Sequence, residues 1–171
     1  MAGNLNTLDS VGGFSVSNKV IVNHTYDAKN LNTLEVRNNF YDDSFAQHYI
    51  LRGTNTSTLS VDNVNGIIPI PSNTMNFVEA VVIAVNDDNT ASITQKLESA
   101  LQVNGTGVVT ELSTMTTIIK DSIPEGQTWE IDVFTGGGAN KFSYSTTRIG
   151  TTKTVKWCVY VKVVSIDWTW C

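Results

Sequence analysis

The chain has 171 residues, of which 41% are hydrophobic and only 16% charged, and its formal net charge is −5. This length suits one domain with a terminal extension, and the negative charge argues against binding to a nucleic-acid backbone, which needs a basic surface. No stretch approaches the roughly 20 consecutive apolar residues of a membrane span, and residues 1–6 lack the features of a secretory signal. We therefore expect no nucleic acid and no membrane as a partner.

The first 43 residues contain few apolar side chains and many Asn, with one clear strand candidate at residues 14–22. The stretch Asn4-Leu5-Asn6-Thr7-Leu8 recurs as Asn30-Leu31-Asn32-Thr33-Leu34, and each copy is followed by an acid and a Phe. Both coincidence and a pair of segments docking on equivalent surfaces explain this echo. We predict an extended N-terminal attachment arm over residues 1–43, with the contact residues Leu5, Leu8, Phe14, Leu31, Leu34 and Phe40.

Residues 76–103 predict a long antiparallel hairpin. A β-branched run over residues 76–87 leads into the polar turn Asp87-Asp88-Asn89, and residues 90–103 then alternate between apolar and polar. Period-two alternation next to a short polar turn is typical of a hairpin. Good helix formers over residues 95–102 permit a helical interpretation, but the alternation extends beyond them in both directions.

The remaining sequence predicts several shorter strands separated by Gly, Asn and Pro turns. We place these strands at residues 108–112, 116–119, 128–134, 141–146 and 154–166. Four aromatic residues fall at strand positions and are predicted to lie in the core: Tyr49, Phe77, Trp129 and Trp157. The pattern favours an all-β, antiparallel β-sandwich, jelly-roll or Ig-like, over residues 44–171.

Trp168 and Trp170 follow the last predicted strand and share a face with Ile166 on alternation. Core packing is one interpretation of this pair. The other is an exposed aromatic pair suited to protein contact or sugar stacking. We include both tryptophans among the predicted protein-contact residues.

Residues with catalytic or metal-binding chemistry are few. His24 and His48 have no metal-ligand spacing, and the sequence lacks a nucleophile elbow and a phosphate loop. The pairs Asp42-Asp43 and Asp87-Asp88 fit turn residues, which hydrogen-bond their own backbone, and a weak calcium site at residues 87–89 is the alternative. We expect no metal, no cofactor and no enzymatic activity.

Several segments occur in a specific order along residues 49–166. The chain passes from Leu51-Arg52-Gly53 through Ile70-Pro71-Ser72-Asn73-Thr74 and the hairpin to Trp129-Glu130-Ile131-Asp132-Val133, and closes with Val155-Lys156-Trp157-Cys158-Val159. This order resembles a β-sandwich module of tailed-bacteriophage virion proteins, of capsid decoration, head-fibre or tail-fibre type. Cys158 and Tyr160 depart from the module, which usually has smaller residues there.

The resemblance implies a virion structural protein on the outer surface of the particle, assembled in the host cytoplasm, with no catalytic or cofactor residues. Our leading hypothesis is a capsid decoration, or cement, protein that binds the major capsid protein or another virion protein as a homotrimer. One alternative is a head or tail fibre or appendage subunit. Another is a host-surface carbohydrate-binding module that uses Trp168 and Trp170 to bind a host glycan.

Overall fold

The computed structural model of the chain describes residues 14–16, 19–22, 31, 33–38 and 40–169. Only β-strands and irregular segments occur among these residues, so none of them belongs to a helix able to cross a membrane. The strands are β1 (Phe14–Val16), β2 (Lys19–Val22), β3 (Thr33–Arg37), β4 (Ser44–Thr54), β5 (Ser57–Thr58), β6 (Ile68–Pro69), β7 (Thr74–Asn86), β8 (Ser92–Val103), β9 (Val109–Asp121), β10 (Thr128–Phe134), β11 (Lys141–Ile149) and β12 (Val155–Asp167).

The chain divides into two compact units, residues 1–32 and residues 33–171. In the first unit, β1 and β2 pair antiparallel, with Phe14 opposite Val22. The single strand predicted over residues 14–22 is therefore a short hairpin.

The second unit is built from two antiparallel sheets. The larger sheet has six strands in the order β3-β4-β12-β7-β8-β9, and the smaller pairs β10 with β11, against which the short strands β5 and β6 also lie. Strand β12 is hydrogen-bonded along its length to β4 on one side and to β7 on the other. This arrangement confirms the predicted all-β antiparallel sandwich.

The core lies between the two sheets and follows from the alternation of the long strands. On β12, the side chains from Val155 to Val163 are buried at every second position, as a period of two requires. Trp157 packs edge-on against Trp129 of the smaller sheet, with 6.4 Å between ring centroids. The core predictions for Tyr49, Trp129 and Trp157 are confirmed, since all three are buried.

Asparagine residues shape several of the turns. Asn55 has φ of 57°, a left-handed conformation that Asn tolerates better than most residues. Its side-chain Oδ1 accepts a hydrogen bond from the Val155 backbone N–H at 2.9 Å, and its carbonyl oxygen accepts one from Trp157 Nε1 at 3.0 Å. One turn residue thus anchors the start of β12 and the largest core side chain.

Three details differ from the sequence-based expectations. Strand β3 pairs with β4, so the sheet begins before the predicted boundary between residues 43 and 44. The two short strands predicted at residues 108–112 and 116–119 form one strand, β9, whose pairing with β8 contains irregularities. The prediction that Phe77 lies in the core is wrong: its side chain is 46% exposed, because it projects from the face of β7 opposite the core.

Candidate protein-contact surface

The outer face of the six-stranded sheet consists of the side chains that point away from the smaller sheet. Large apolar side chains occupy much of this face on β4, β7 and β12, each 40–52% exposed: Ile50, Met75, Phe77, Val81, Ile83, Tyr160, Val164 and Ile166. The pairing register places Val164 beside Phe77, and Tyr160 between Ile50 and Val81. Contiguous exposed apolar side chains on this scale are typical of a surface that contacts another molecule.

A charged row crosses the middle of this outer face. Glu79 contacts Lys162 at 3.2 Å and Lys96 at 3.4 Å, and Lys96 also contacts Glu98 at 2.6 Å. The hydrogen bond from Lys162 is the main cause that holds the pKa of the Glu79 carboxyl below its ordinary value. The row keeps opposite charges paired between two apolar areas of the face.

Exposed aromatic side chains gather at one end of the same sheet. The Asp167 backbone N–H donates to the Asp43 carbonyl at 2.8 Å, and the Trp168 N–H donates to the Asn73 carbonyl at 3.1 Å. These bonds bring Trp168 to the end of the sheet where the chain enters β4. Two further exposed aromatic residues, Phe40 and Tyr41, precede that point, and Phe40 is 87% exposed. We call Phe40, Tyr41 and Trp168 the aromatic end.

Strand β3 forms one edge of the sheet. Its side chains Leu34 and Val36 are both at least half exposed, and they lie on the outer face beside His48 and Ala46 of β4. One edge of β3 pairs with β4, and the other edge has no strand partner among the described residues. An unpaired strand edge presents backbone N–H and C=O groups to which another strand can add.

The sequence-predicted contact residues are placed as follows. Leu31, in the first unit, is exposed, as are Leu34, Phe40 and Trp168 in the second unit. Leu34 lies on β3, and Phe40 lies in the link between β3 and β4, at the end of the sheet that Trp168 also reaches. Phe14 lies in β1, with nothing described of its side chain. Leu5, Leu8 and Trp170 fall outside the described residues.

Sequence reasoning missed the apolar outer face. A signal for it exists in β7, where Met75, Phe77, Val81 and Ile83 alternate with core residues that are themselves apolar. A strand with one face in water normally alternates with polar residues. Apolar residues at both the odd-numbered and the even-numbered positions therefore indicate that both faces of β7 need a partner.

Asp88 has the local role predicted for a turn carboxylate, because its Oδ1 accepts a hydrogen bond from the Thr90 N–H at 3.2 Å. The Asp87-Asp88 pair also contacts residues that are distant in sequence. Asp87 Oδ2 accepts a hydrogen bond from the Thr154 N–H at 3.2 Å, and Asp88 forms an ion pair with Lys153. The hydrogen bond from Lys153 is the main cause that lowers the pKa of Asp88 to about 2. Among the described residues, no group of three or more His, Cys, Asp or Glu side chains is arranged to hold a metal ion.

No protein-family profile and no curated protein matches this sequence. Among solved structures, the chain is similar to the tailspike protein gp49 from Acinetobacter baumannii bacteriophage Fri1, described as a capsular polysaccharide depolymerase. The match has 12% sequence identity and a TM-score of 0.43, and it covers 78% of this chain but only 19% of the tailspike. A likeness this distant does not carry the activity of that protein over to this chain.

The prediction that the chain is not an enzyme is withdrawn, since the similar protein is described as a capsular polysaccharide depolymerase and the absence of motifs excludes no activity. That prediction was based on missing sequence motifs. Carboxylate pairs that cleave glycosidic bonds are defined by a separation of about 5–10 Å in space and leave no such motif, so their absence from the sequence excludes nothing. The match does not distinguish a capsid decoration protein from a fibre.

Proposed function

We propose that the chain is a component of a tailed-phage virion, and specifically a capsid decoration, or cement, protein that binds the outer shell as a homotrimer. The observation that carries this proposal is the aromatic end of the large sheet, which adjoins an edge of β3 that has no strand partner within the part of the chain that the structure describes. The partner is the major capsid protein or another virion protein, reached on the particle surface after synthesis in the host cytoplasm.

The aromatic end suits a protein partner because it consists of large side chains that are 44–87% exposed. Aromatic residues bury much surface at a low cost in side-chain entropy, and they are enriched among the residues that dominate binding energy. Phe40 and Tyr41 lie in the short link between β3 and β4, and backbone hydrogen bonds near Asp43 and Asp167 hold that link close to Trp168. The sheet thus fixes the position of the aromatic end before a partner arrives.

The β3 edge adds a second mode of attachment. An extended segment of a shell protein can pair with the outer edge of β3, which no described strand occupies, and extend the sheet, with backbone hydrogen bonds providing affinity. The exposed side chains of Leu34 and Val36 would then contact side chains of the added strand.

Binding of purified protein to undecorated phage shells, measured by co-sedimentation, tests this proposal. We expect the combined variant Phe40→Ala, Tyr41→Ala and Trp168→Ala to bind shells at least about 30-fold more weakly than the unmodified chain. A matched control, Val64→Ala with Ile149→Ala, removes exposed apolar groups elsewhere and should bind normally.

The full-length variant Leu5→Asp with Leu8→Asp tests the predicted attachment arm in the same assay. Weaker shell binding with an unchanged melting temperature would support the arm. Failure of the unmodified chain to bind any shell would contradict the decoration proposal.

A second candidate function is a fibre or appendage subunit that binds a host glycan. The exposed rings of Tyr41 and Trp168 favour this alternative, because aromatic faces with a polar edge suit a wet, partly apolar ligand. Calorimetric titration with host capsular or lipopolysaccharide oligosaccharides distinguishes the two functions. Binding that Trp168→Ala abolishes, without any binding to shells, would favour the fibre or glycan alternative.

A further inference from the structure

We infer that the outer face of the six-stranded sheet is a self-association surface, covered by another copy of this chain. In this arrangement the β4–β12 half of one copy lies against the β7–β8 half of the next. The size of the face, the arrangement of its apolar side chains and the distribution of its charges each favour a second copy as the occupant.

The size of the face matches that of a stable interface. Strands β4, β12, β7 and β8 contain 11, 13, 13 and 12 residues. With about 4.8 Å between strands and about 3.3 Å per residue, these four strands span roughly 750 Å². A typical stable protein interface buries about 800 Å² on each partner. A face-to-face contact on these four strands is therefore about as large as a stable interface.

The apolar side chains are arranged in two areas that two sheets can share. Phe77, Val164, Met75 and Ile166 form one area, and Ile50, Tyr160, Val81 and Ile83 form the other, on opposite sides of the charged row. Stacked sheets bury such side chains by interdigitation at a spacing of about 10 Å. Of all partners, a copy of the same face offers the same alternation of apolar, charged and apolar areas.

The charges of the two halves are complementary. The outer face of β4 and β12 carries Arg52, Lys156 and Lys162 and no acidic residue. The outer face of β7 and β8 carries the acids Glu79 and Glu98 together with Lys96. The two halves therefore carry net charges of opposite sign, and Lys162 lies at the level of the acids Glu79 and Glu98.

The register of the charged row makes this match specific. Lys162 and Glu79 lie directly opposite each other on neighbouring strands. A two-fold axis parallel to these strands keeps the level of each residue and exchanges the two halves, which joins two copies in solution and is a contact separate from the trimer proposed on the shell. Lys162 of one copy then faces Glu79 of the next, while the apolar areas above and below the row also meet.

The test measures the mass of the full-length chain in solution by light scattering and sedimentation, without shells, so that its outcome is independent of shell binding. We expect the unmodified chain to associate. The double variant Phe77→Asp with Val164→Asp should associate at least about 30-fold more weakly than the unmodified chain. The control Ile149→Asp places a charge at an exposed apolar residue of the smaller sheet and should leave the mass unchanged.

A charge exchange tests the orientation of the copies. Glu79→Lys and Lys162→Glu should each weaken association, and the double variant should restore it, because opposite charges then face each other again. Circular dichroism and melting temperature check that every variant folds.

Three results would overturn the inference. The first is a single-copy mass for the unmodified chain at all concentrations. The second is an associated mass that Phe77→Asp with Val164→Asp leaves intact, since the copies would then meet elsewhere. The third is binding of a shell protein to this face in place of another copy, detected as loss of shell binding by that double variant while the mass of the free protein is unaffected.

Discussion

The two faces of the six-stranded sheet are both rich in apolar side chains, yet only one of them is covered within the chain. The inner face packs against β10 and β11, and its side chains from Val78 to Ala84 are fully buried. The outer face of β7, the strand that also carries Val78 and Ala84, exposes Phe77, Val81 and Ile83. An apolar side chain is therefore not always buried within its own chain. The apolar side chains that stay exposed identify the surface that is available to a partner.

The largest expected effect is a difference in protein stability between substitutions on the inner face and substitutions on the outer face. Trp157→Ala on the inner face should lower the free energy of unfolding by about 3–5 kcal/mol, because it removes a fully buried ring and leaves a cavity. Val164→Ala on the outer face of the same strand should cost about 0.5 kcal/mol or less in the dissociated protein. Urea unfolding at low protein concentration measures both. Equal losses would show that the outer face is also packed within the chain.

A smaller effect concerns polar groups buried on the inner face. Ser165 Oγ donates to Asn76 Oδ1 at 2.5 Å, and Asn76 Nδ2 donates to Thr74 Oγ1 at 2.9 Å. Ser165→Ala leaves the Asn76 oxygen without this donor, and we expect a loss of about 1–3 kcal/mol in the free energy of unfolding. The control Thr94→Ala lies on the outer face and should change it by about 0.5 kcal/mol or less. A neutral Ser165→Ala would contradict a structural role for this network.

The smallest effect is the pH dependence of the charged row. Because the folded-state pKa of Glu79 lies below its ordinary value of 4.5, its stabilising contribution is present above pH 4.5 and is lost as the pH falls through the folded-state pKa. The stability difference between the unmodified chain and Glu79→Gln should therefore shrink on acidification, from at most about 1 kcal/mol. Urea unfolding between pH 7 and pH 3 measures this difference. A difference that grows in acid would have the wrong sign.

Much of the fold could be predicted from the sequence where polar and apolar residues alternate. Strand β8 begins within two residues of its predicted start because its outer positions, such as Lys96 and Glu98, are polar. Strand β9 was predicted as two fragments, since most of its length is exposed on both sides and lacks that contrast. Strand β3 was missed because five exposed residues at a sheet edge carry no burial pattern.

The candidate surface was only partly predictable. Phe40 was identified from the repeated Asn-Leu-Asn-Thr-Leu segment, and Trp168 from its position after the last predicted strand. Their placement at the same end of the sheet depends on hydrogen bonds between residues far apart in sequence, such as Asp167 with Asp43, and local patterns do not encode such pairings. Phe77 was assigned to the core because β7 has apolar residues at both odd-numbered and even-numbered positions. Alternation therefore cannot distinguish the two faces of β7.

The central position of β12 has a consequence for how the protein is made. Strands β4 and β7 do not pair with each other; each pairs with β12, which the ribosome produces after both of them. Until β12 emerges, β4 and β7 keep unpaired edges, a condition that favours aggregation of nascent chains. The large sheet is therefore completed only after β12 has been synthesised, through contacts between distant segments that form slowly, and chaperones that shield exposed edges should raise the yield of folded protein.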